Sequence, residues 1–270
     1  MSTLTTVVLV ALLAGCATGI GALPTLASTQ VSHRVYDGAI GLAAGIMVGA
    51  AVFALIVPGL EFGTPWEVVA GLLAGGAFML VANALLPHLH LRFRGERLEG
   101  TAMVDETSLP DRLEPAREED GALRRALLVG SAVTIHNVPE GLAVGIAFAS
   151  GETGLGFAIA TAIAVQNVPD GFAMAVPAVR AGVSKPKTVL YTTLSGGVPE
   201  PIAAAVGFTL VAFVTGLFPV AAGFAAGAMI AVVFRELVPS SHGHGYADTA
   251  TATFVCGFAI MLVVDTVLAV

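Results

Sequence analysis

The chain has 270 residues, of which 56% are hydrophobic and 11% are charged, and its formal net charge is −7. Soluble globular domains contain about 25% charged residues, so this composition excludes a soluble fold. The mean hydropathy of +0.88 predicts a protein that crosses the membrane several times.

Eight apolar segments are long enough to cross a bilayer as helices. Their length and continuous apolar character favour helices over barrel strands, in which apolar and polar residues alternate. We therefore predict an all-α polytopic membrane protein that forms a single transmembrane domain over residues 1–270. The predicted spans are residues 4–27, 39–60, 66–86, 124–149, 154–179, 188–214, 217–239 and 249–270.

Basic residues indicate the orientation of the chain. All twelve fall in or beside the first, third, fifth and seventh connections, which the positive-inside rule makes cytoplasmic. Both termini are then predicted to be extracytoplasmic, with the protein in the cell membrane. The third connection, residues 87–123, is rich in acids and poor in aromatic residues, which predicts a disordered cytoplasmic loop. The basic residues are Arg34, Arg92, Arg94, Arg97, Arg112, Arg117, Arg124, Arg125, Arg180, Lys185, Lys187 and Arg235.

Two consecutive spans carry nearly the same polar insert, HNVPEG starting at His136 and QNVPDG starting at Gln166. Helical spacing places His136 and Glu140 on one helix face, and Gln166 and Asp170 on one face of the next helix. A charged side chain at the bilayer centre costs roughly 2.5–3.5 kcal/mol on insertion scales, so intramembrane acids indicate function. The inserts are therefore the candidate site.

Other polar groups are expected at the same depth. Pro139 and Pro169 each leave a backbone carbonyl free, and Glu200 lies near the middle of the sixth span. Mixed oxygen and nitrogen ligands suit a borderline divalent cation such as Zn²⁺, with Cd²⁺, Fe²⁺ and Mn²⁺ as alternatives. Simple hydrogen bonding between helices would leave the near-identical inserts unexplained. The candidate ligands are His136, Asn137, Glu140, Gln166, Asn167, Asp170 and Glu200.

The second and seventh spans look like copies of each other. GLAAGIM starts at Gly41 and GFAAGAM at Gly223, and an apolar stretch leads from them to Pro58 and Pro239. The two spans run in opposite directions in the predicted topology, so the repeat is inverted. Inverted repeats around a midplane site are typical of secondary transporters, and we predict one around the central pair of spans.

The paired motifs and the topology together resemble the ZIP (Zrt/Irt-like protein) family of metal transporters. HNVPEG from His136 matches the fourth-span signature of that family at every position. QNVPDG is similar to the fifth-span motif, with Asp170 where Glu is more usual, and the residues around Glu200 are similar to the sixth-span motif. The resemblance implies homodimers and inward transport by alternating access, with spans one, four, five and six moving against spans two, three, seven and eight.

The resemblance further implies a binuclear metal centre at the midplane, with carboxylates bridging the two ions. Two ligand sets follow, which share their three acids: His136, Glu140, Gln166, Asp170 and Glu200 for one ion, and Asn137, Glu140, Asn167, Asp170 and Glu200 for the other. A candidate exit site follows the seventh span and consists of Glu236, His242 and His244. His33 is interpreted as a surface residue.

We therefore predict a secondary transporter of divalent transition-metal ions and not an enzyme, with Zn²⁺ as cargo and no cofactor. The expected partners are divalent ions and the lipid bilayer, with no nucleic acid. The chain has no P-loop, so ATP-driven transport within it is not expected. The main alternative is an intramembrane metalloenzyme such as a hydrolase; the absence of a His-Glu-x-x-His motif and the three acids weigh against it. A carrier of a small organic cation is a further alternative.

Overall fold

The computed structural model describes residues 3–27, 31–91, 135–180, 182–214 and 216–268, with the backbone alone for residues 83, 85–91 and 268. These residues form helices and no strand. We number the helices by the predicted spans: α1 (Leu4–Ala27), α2 (His33–Phe62), α3 (Pro65–Leu91), α4 (described over residues 135–149), α5 (Thr153–Arg180), α6 (Lys185–Phe213), α7 (Phe218–His242) and α8 (Ala247–Leu268).

Seven of the described helices are long and apolar enough to cross a membrane. Large apolar side chains remain exposed on them, such as Leu13 at 73% and Phe213 at 84%, which is the arrangement expected against lipid. The prediction of an all-α polytopic membrane protein is therefore confirmed. The predicted span 124–149 and the predicted loop 87–123 lie largely outside the described residues, and the described backbone of α3 continues as helix to Leu91.

Prolines interrupt two of the helices that surround the inserts. α1 turns at Leu23, immediately before Pro24. α6 consists of two pieces, Lys185–Gly197 and Pro199–Phe213, because Pro199 has no N–H with which to continue the first piece. The break in α6 comes directly before Glu200, so it sets the position of that acid.

α2 and α7 share a second kind of distortion. Each contains a π-helical segment, Ala50–Ile56 in α2 and Val233–Leu237 in α7, shortly before Pro58 and Pro239. A proline ring crowds the carbonyl four residues earlier, and a π-helical turn is one way for the chain to relieve that crowding. The matching distortions extend the likeness of these two helices beyond their sequences.

The helices pack in two groups. α2 packs on α8 and α3 on α7, whereas α1 packs on α5 and α6, and α4 packs on α6; α2 also contacts α5. Two glycines that directly follow the insert acids allow close backbone approach: Gly171 lies against the Thr18 carbonyl of α1, and Gly141 against the Glu200 backbone of α6. A Cβ atom at either glycine would overlap backbone atoms, so these contacts hold the inserts close to α1 and α6.

Candidate metal centre

The polar inserts of α4 and α5 lie in the protein interior, next to the break in α6. Five of the seven predicted ligands expose at most 1% of their surface, namely Asn137, Glu140, Gln166, Asn167 and Glu200. His136 is 9% exposed, and Asp170 is half-buried. Burial of carboxylates to this degree requires compensating partners, so the hydrogen bonds of the inserts are informative.

Amide side chains of α5 connect it to three neighbouring helices. Gln166 Nε2 donates a hydrogen bond to Glu140 Oε1 of α4 at 2.7 Å. Asn167 Nδ2 donates to Glu200 Oε1 of α6 at 2.8 Å and to the Ala14 carbonyl of α1 at 2.8 Å. Asn167 thus uses both of its N–H donors, and its amide oxygen remains for another ligand.

Asn137 connects α4 to the break in α6. In a continuous helix, the Ser195 carbonyl would accept a hydrogen bond from the backbone nitrogen of residue 199. That residue is Pro199, which has no N–H, and Asn137 Nδ2 donates to the Ser195 carbonyl instead, at 2.6 Å. The asparagine of the fourth-span motif therefore satisfies a carbonyl that the sixth-span proline leaves open.

Four buried carboxylate and amide oxygens of the candidate ligands have no hydrogen-bond partner among the described residues: Glu140 Oε2, Gln166 Oε1, Asn167 Oδ1 and Glu200 Oε2. All four can only accept hydrogen bonds while the carboxylates are ionised. Removing an ionised carboxylate from water costs several kcal/mol, and this free energy must be recovered through contacts with a positive charge or with hydrogen-bond donors. Carboxylate and amide oxygens are ligands that suit a divalent ion.

His136 lies between α4 and α7. Its Nε2 atom is 2.8 Å from Glu236 Oε2, in the π-helical segment of α7. Glu236 belongs to the predicted exit site, but in the structure its carboxylate lies beside His136, a predicted ligand of the central site. Nothing in the sequence indicated this pair, because the two residues belong to helices in different packing groups.

The three residues of the predicted exit site do not converge. His242 Nδ1 lies 2.9 Å from the Val238 carbonyl of its own helix, whereas His244 Nδ1 lies 2.7 Å from Asp37 Oδ1 of α2. Across the described residues, no three His, Cys, Asp or Glu side chains stand close enough together to hold a metal ion. Asp37 is not among the predicted site residues, because the second span is predicted to begin at residue 39, whereas the helix begins at His33. An acid next to an apolar span is the sequence signal that could have identified it.

We expect Asn167→Ala to lower the melting temperature of the metal-free protein. The substitution removes the hydrogen bonds that join α5 to Ala14 and Glu200, and hydrogen bonds to charged groups contribute about 1.5–3 kcal/mol. Thermal unfolding in detergent with excess chelator measures the change. Thr209→Ala is the control, because the Thr209 hydroxyl donates to the Ala205 carbonyl of its own helix and joins no second helix among the described residues. Equal melting of Asn167→Ala and wild type would show that these bonds do not stabilise the bundle.

The described helices form a multi-pass membrane protein, and unpartnered carboxylate and amide oxygens are buried on α4, α5 and α6. A model of the family "ZIP Zinc transporter" matches residues 100–265. Zinc transporter GufA of Myxococcus xanthus is 35% identical over 94% of this chain and 95% of its own length. Zinc transporter ZIPB of Bordetella bronchiseptica is 34% identical over 93% of this chain and 78% of its own length. Zinc transporter ZIP11 of Homo sapiens is 31% identical over 92% of this chain and 93% of its own length. The chain therefore belongs to the ZIP family of zinc transporters.

Family membership confirms the predicted class of function. The protein is a transporter of divalent metal ions and not an intramembrane hydrolase, and the metal is its cargo rather than a cofactor. The fold agrees with this class, because several apolar helices form a multi-pass membrane protein.

Proposed function

We propose that the protein carries Zn²⁺ across the cell membrane into the cytoplasm through a midplane site on α4, α5 and α6. The observation that carries this proposal is the set of four buried oxygens without partners, on Glu140, Gln166, Asn167 and Glu200. A divalent ion would offset the carboxylate charges during its passage. The site is costly without cargo, so its side chains favour binding of the next ion.

The site binds two ions in this proposal. One ion takes His136, Glu140, Gln166, Asp170 and Glu200, and the other takes Asn137, Glu140, Asn167, Asp170 and Glu200. The hydrogen bonds support this use of the α5 amides: the donors of Asn167 are occupied, and the Gln166 donor bonds Glu140, while both amide oxygens are left over. Glu140, Asp170 and Glu200 do not stand close enough in this structure to hold one ion together, so in this proposal the three acids draw closer when an ion binds.

Alternating access would move α1, α4, α5 and α6 against α2, α3, α7 and α8, in an eight-span protein with an inverted repeat. Two features support the repeat. The π-helical segments of α2 and α7 precede matching prolines. A repeat that relates α2 to α7 and α3 to α8 would also relate the contact of α2 with α8 to the contact of α7 with α3, and both contacts are present. The contact between His136 and Glu236 then crosses the boundary between the two groups.

Two basic side chains support an orientation with both termini outside. Arg180, at the end of α5, donates to the Val31 carbonyl, and Lys185, at the start of α6, donates to the Leu26 carbonyl. The first and fifth connections therefore lie at the same end of the bundle, as the predicted topology requires, and the positive-inside rule makes that end cytoplasmic. Lipid surrounds the exposed apolar side chains, and homodimers remain part of the proposal through the family resemblance alone.

Zinc uptake into right-side-out membrane vesicles tests cargo and direction together. We expect saturable accumulation of radiolabelled Zn²⁺, reduced by unlabelled Cd²⁺, Fe²⁺ or Mn²⁺ in an order that ranks the metals. Choline is the control competitor and should have no effect, because an organic cation offers no coordination sites to carboxylates and imidazole. Accumulation only in inverted vesicles would contradict inward transport, and competition by choline would favour a carrier of organic cations.

A further inference from the structure

A row of hydroxyl side chains runs along the first piece of α6, on the side that is buried in the bundle. It consists of Thr188, Thr192 and Ser195, and each exposes at most 3% of its surface. The three residues are spaced four and three apart, so they lie on one face of the helix. Leu190 lies on the opposite side and is 53% exposed, as expected for a side chain against lipid. We call the buried face the hydroxyl row.

The hydroxyls of Thr188 and Thr192 have no hydrogen-bond partner among the described residues. A threonine inside a helix can satisfy its hydroxyl by donating to the carbonyl four residues earlier. Thr193, Thr209 and Thr266 do so in this protein, at 2.6–2.8 Å. A buried hydroxyl that makes no hydrogen bond is costly, so the two hydroxyls of the row require a partner outside their own helix.

The spacing of the two threonines suits a water molecule between them. Four residues of helix rise about 6 Å, and two hydrogen bonds of about 2.8 Å through one water span nearly the same distance. Internal waters bond in this way to buried polar groups that the protein itself leaves unsatisfied. Ser195 continues the row: its hydroxyl donates to the Thr192 carbonyl at 2.8 Å, and its lone pairs can accept from a second water.

The two ends of the hydroxyl row relate it to the central site. Lys185 lies three residues before the first threonine, at the end of the bundle that is proposed to be cytoplasmic. At the other end, Asn137 donates to the Ser195 carbonyl at 2.6 Å. A Cβ atom at Gly196, the next residue, would lie 3.0 Å from Glu200 Oε1. The row therefore leads from that end of the bundle to two candidate ligands.

We propose that the hydroxyl row binds a file of internal water that reaches the central site from the cytoplasmic end. Water fits the row because each hydroxyl both donates and accepts, and because the row contains no acid or imidazole with which to hold a metal ion. An ion that exchanged its hydration shell for protein ligands must regain water on release, and water beside Asn137 and Glu200 would supply it. This use of the water rests on the proposed function, whereas the binding of water does not.

Hydroxyl-radical labelling of the zinc-free, full-length protein in membranes tests for the water. A short X-ray pulse forms radicals from bound water, which oxidise a thiol beside it, while a scavenger removes the radicals in bulk solution. The background carries Cys16→Ala and Cys256→Ala, which removes both native thiols. We expect Thr188→Cys and Thr192→Cys, each made alone, to be oxidised several-fold faster than a cysteine outside the row. In each variant the remaining threonine keeps the water in place.

Thr193→Cys is the matched control for the labelling. Thr193 is the neighbour of Thr192 in sequence, but its hydroxyl donates to the Val189 carbonyl of its own helix, and its side chain lies against Gly19 of α1. Slow oxidation of all three cysteines would overturn the proposal, because no water would then stand beside the row. Equally fast oxidation of all three would overturn it as well, because water would then have no preference for this face.

Thermal unfolding in detergent gives a second test that needs no labelling. Thr188→Val and Thr192→Val keep nearly the same shape but remove a hydroxyl, so loss of the bound water should lower the melting temperature. A higher melting temperature would overturn the proposal, because removal of a dry and unpartnered hydroxyl stabilises a protein. Failure of the proposed function has a different signature: wild type would accumulate no zinc, while the labelling and melting results would stand.

Discussion

Zinc uptake should fall to background in Glu140→Gln while the protein remains folded in the membrane. The amide has nearly the same shape as the carboxylate, and its oxygen can still accept the hydrogen bond from Gln166, so the packing of α4 on α5 is kept. What the substitution removes is the charge of an acid that is fully buried and shared by both proposed ions. Loss of one bridging carboxylate should weaken both ions together, so we expect a decrease of at least about 100-fold in the initial rate, equivalent to ~2.7 kcal/mol.

Glu152→Gln is the matched control for this prediction. Glu152 lies exposed between α4 and α5, only a few residues beyond the same helix, and nothing places it at the site. Uptake by Glu152→Gln should equal that of wild type at equal amounts of protein in the vesicles. If Glu140→Gln transported zinc at the wild-type rate, Glu140 would not be a ligand, and the assignment of the α4 insert would be wrong.

A single methyl group at Gly171 should destabilise the protein. The Cβ atom of Gly171→Ala would overlap the Thr18 carbonyl group of α1, and backbone atoms cannot move aside as a flexible side chain can. Overpacking of this kind typically costs about 1–3 kcal/mol, and here α5 must move away from α1 to accommodate it. We expect a lower melting temperature in detergent and less protein in the monodisperse peak on size-exclusion chromatography. Because Gly171 follows Asp170, zinc uptake per folded molecule should fall as well.

Gly76→Ala gives the comparison within the same protein. Among the described residues, a Cβ atom at Gly76 in α3 would meet only the Gly227 carbonyl oxygen, at an ordinary contact distance of 3.7 Å. Alanine is favoured over glycine in a helix by about 1 kcal/mol, so this variant should be as stable as wild type or more so. If both alanine variants melted at the same temperature, the close approach of α5 to α1 would not exist in the protein.

Composition and motif spacing were enough to predict the class of this protein and its family. Apolar segments of spanning length predict membrane helices because the bilayer requires backbone hydrogen bonds to be satisfied within each segment. The inserts around Glu140 and Asp170 stood out for a related reason, since polar groups in apolar spans are costly and require a function. These inferences depend only on local sequence and on the solvent.

The partners of individual side chains could not be predicted in the same way. Helical periodicity places His136 and Glu140 on one face, but it does not say that Glu236 of α7 will lie against His136. That contact depends on how α4 and α7 pack and on the π-helical turn in α7. Asp37, near the start of α2, and His244, in the connection after α7, likewise meet only through the packing of helices that are distant in sequence.

One partner was within reach of sequence reasoning and was missed. Pro199 leaves the Ser195 carbonyl without its helical donor, which could have been inferred from the proline alone. Pro139 and Pro169 in the inserts leave carbonyls open for the same reason. In the structure, Asn137 supplies the missing donor. A proline near a candidate ligand therefore predicts an open carbonyl four residues earlier, and a nearby side-chain donor is expected to bond it.

The central claim is that the paired inserts hold the transported ions, and anomalous X-ray diffraction at the zinc absorption edge tests it most directly. Crystals of the protein grown with Zn²⁺ should show two anomalous peaks between α4, α5 and α6, each about 2.0–2.2 Å from carboxylate oxygens. Both peaks should contact Glu140 and Glu200. A fully occupied zinc ion elsewhere, with no peak at Glu140 or Glu200, would contradict the account.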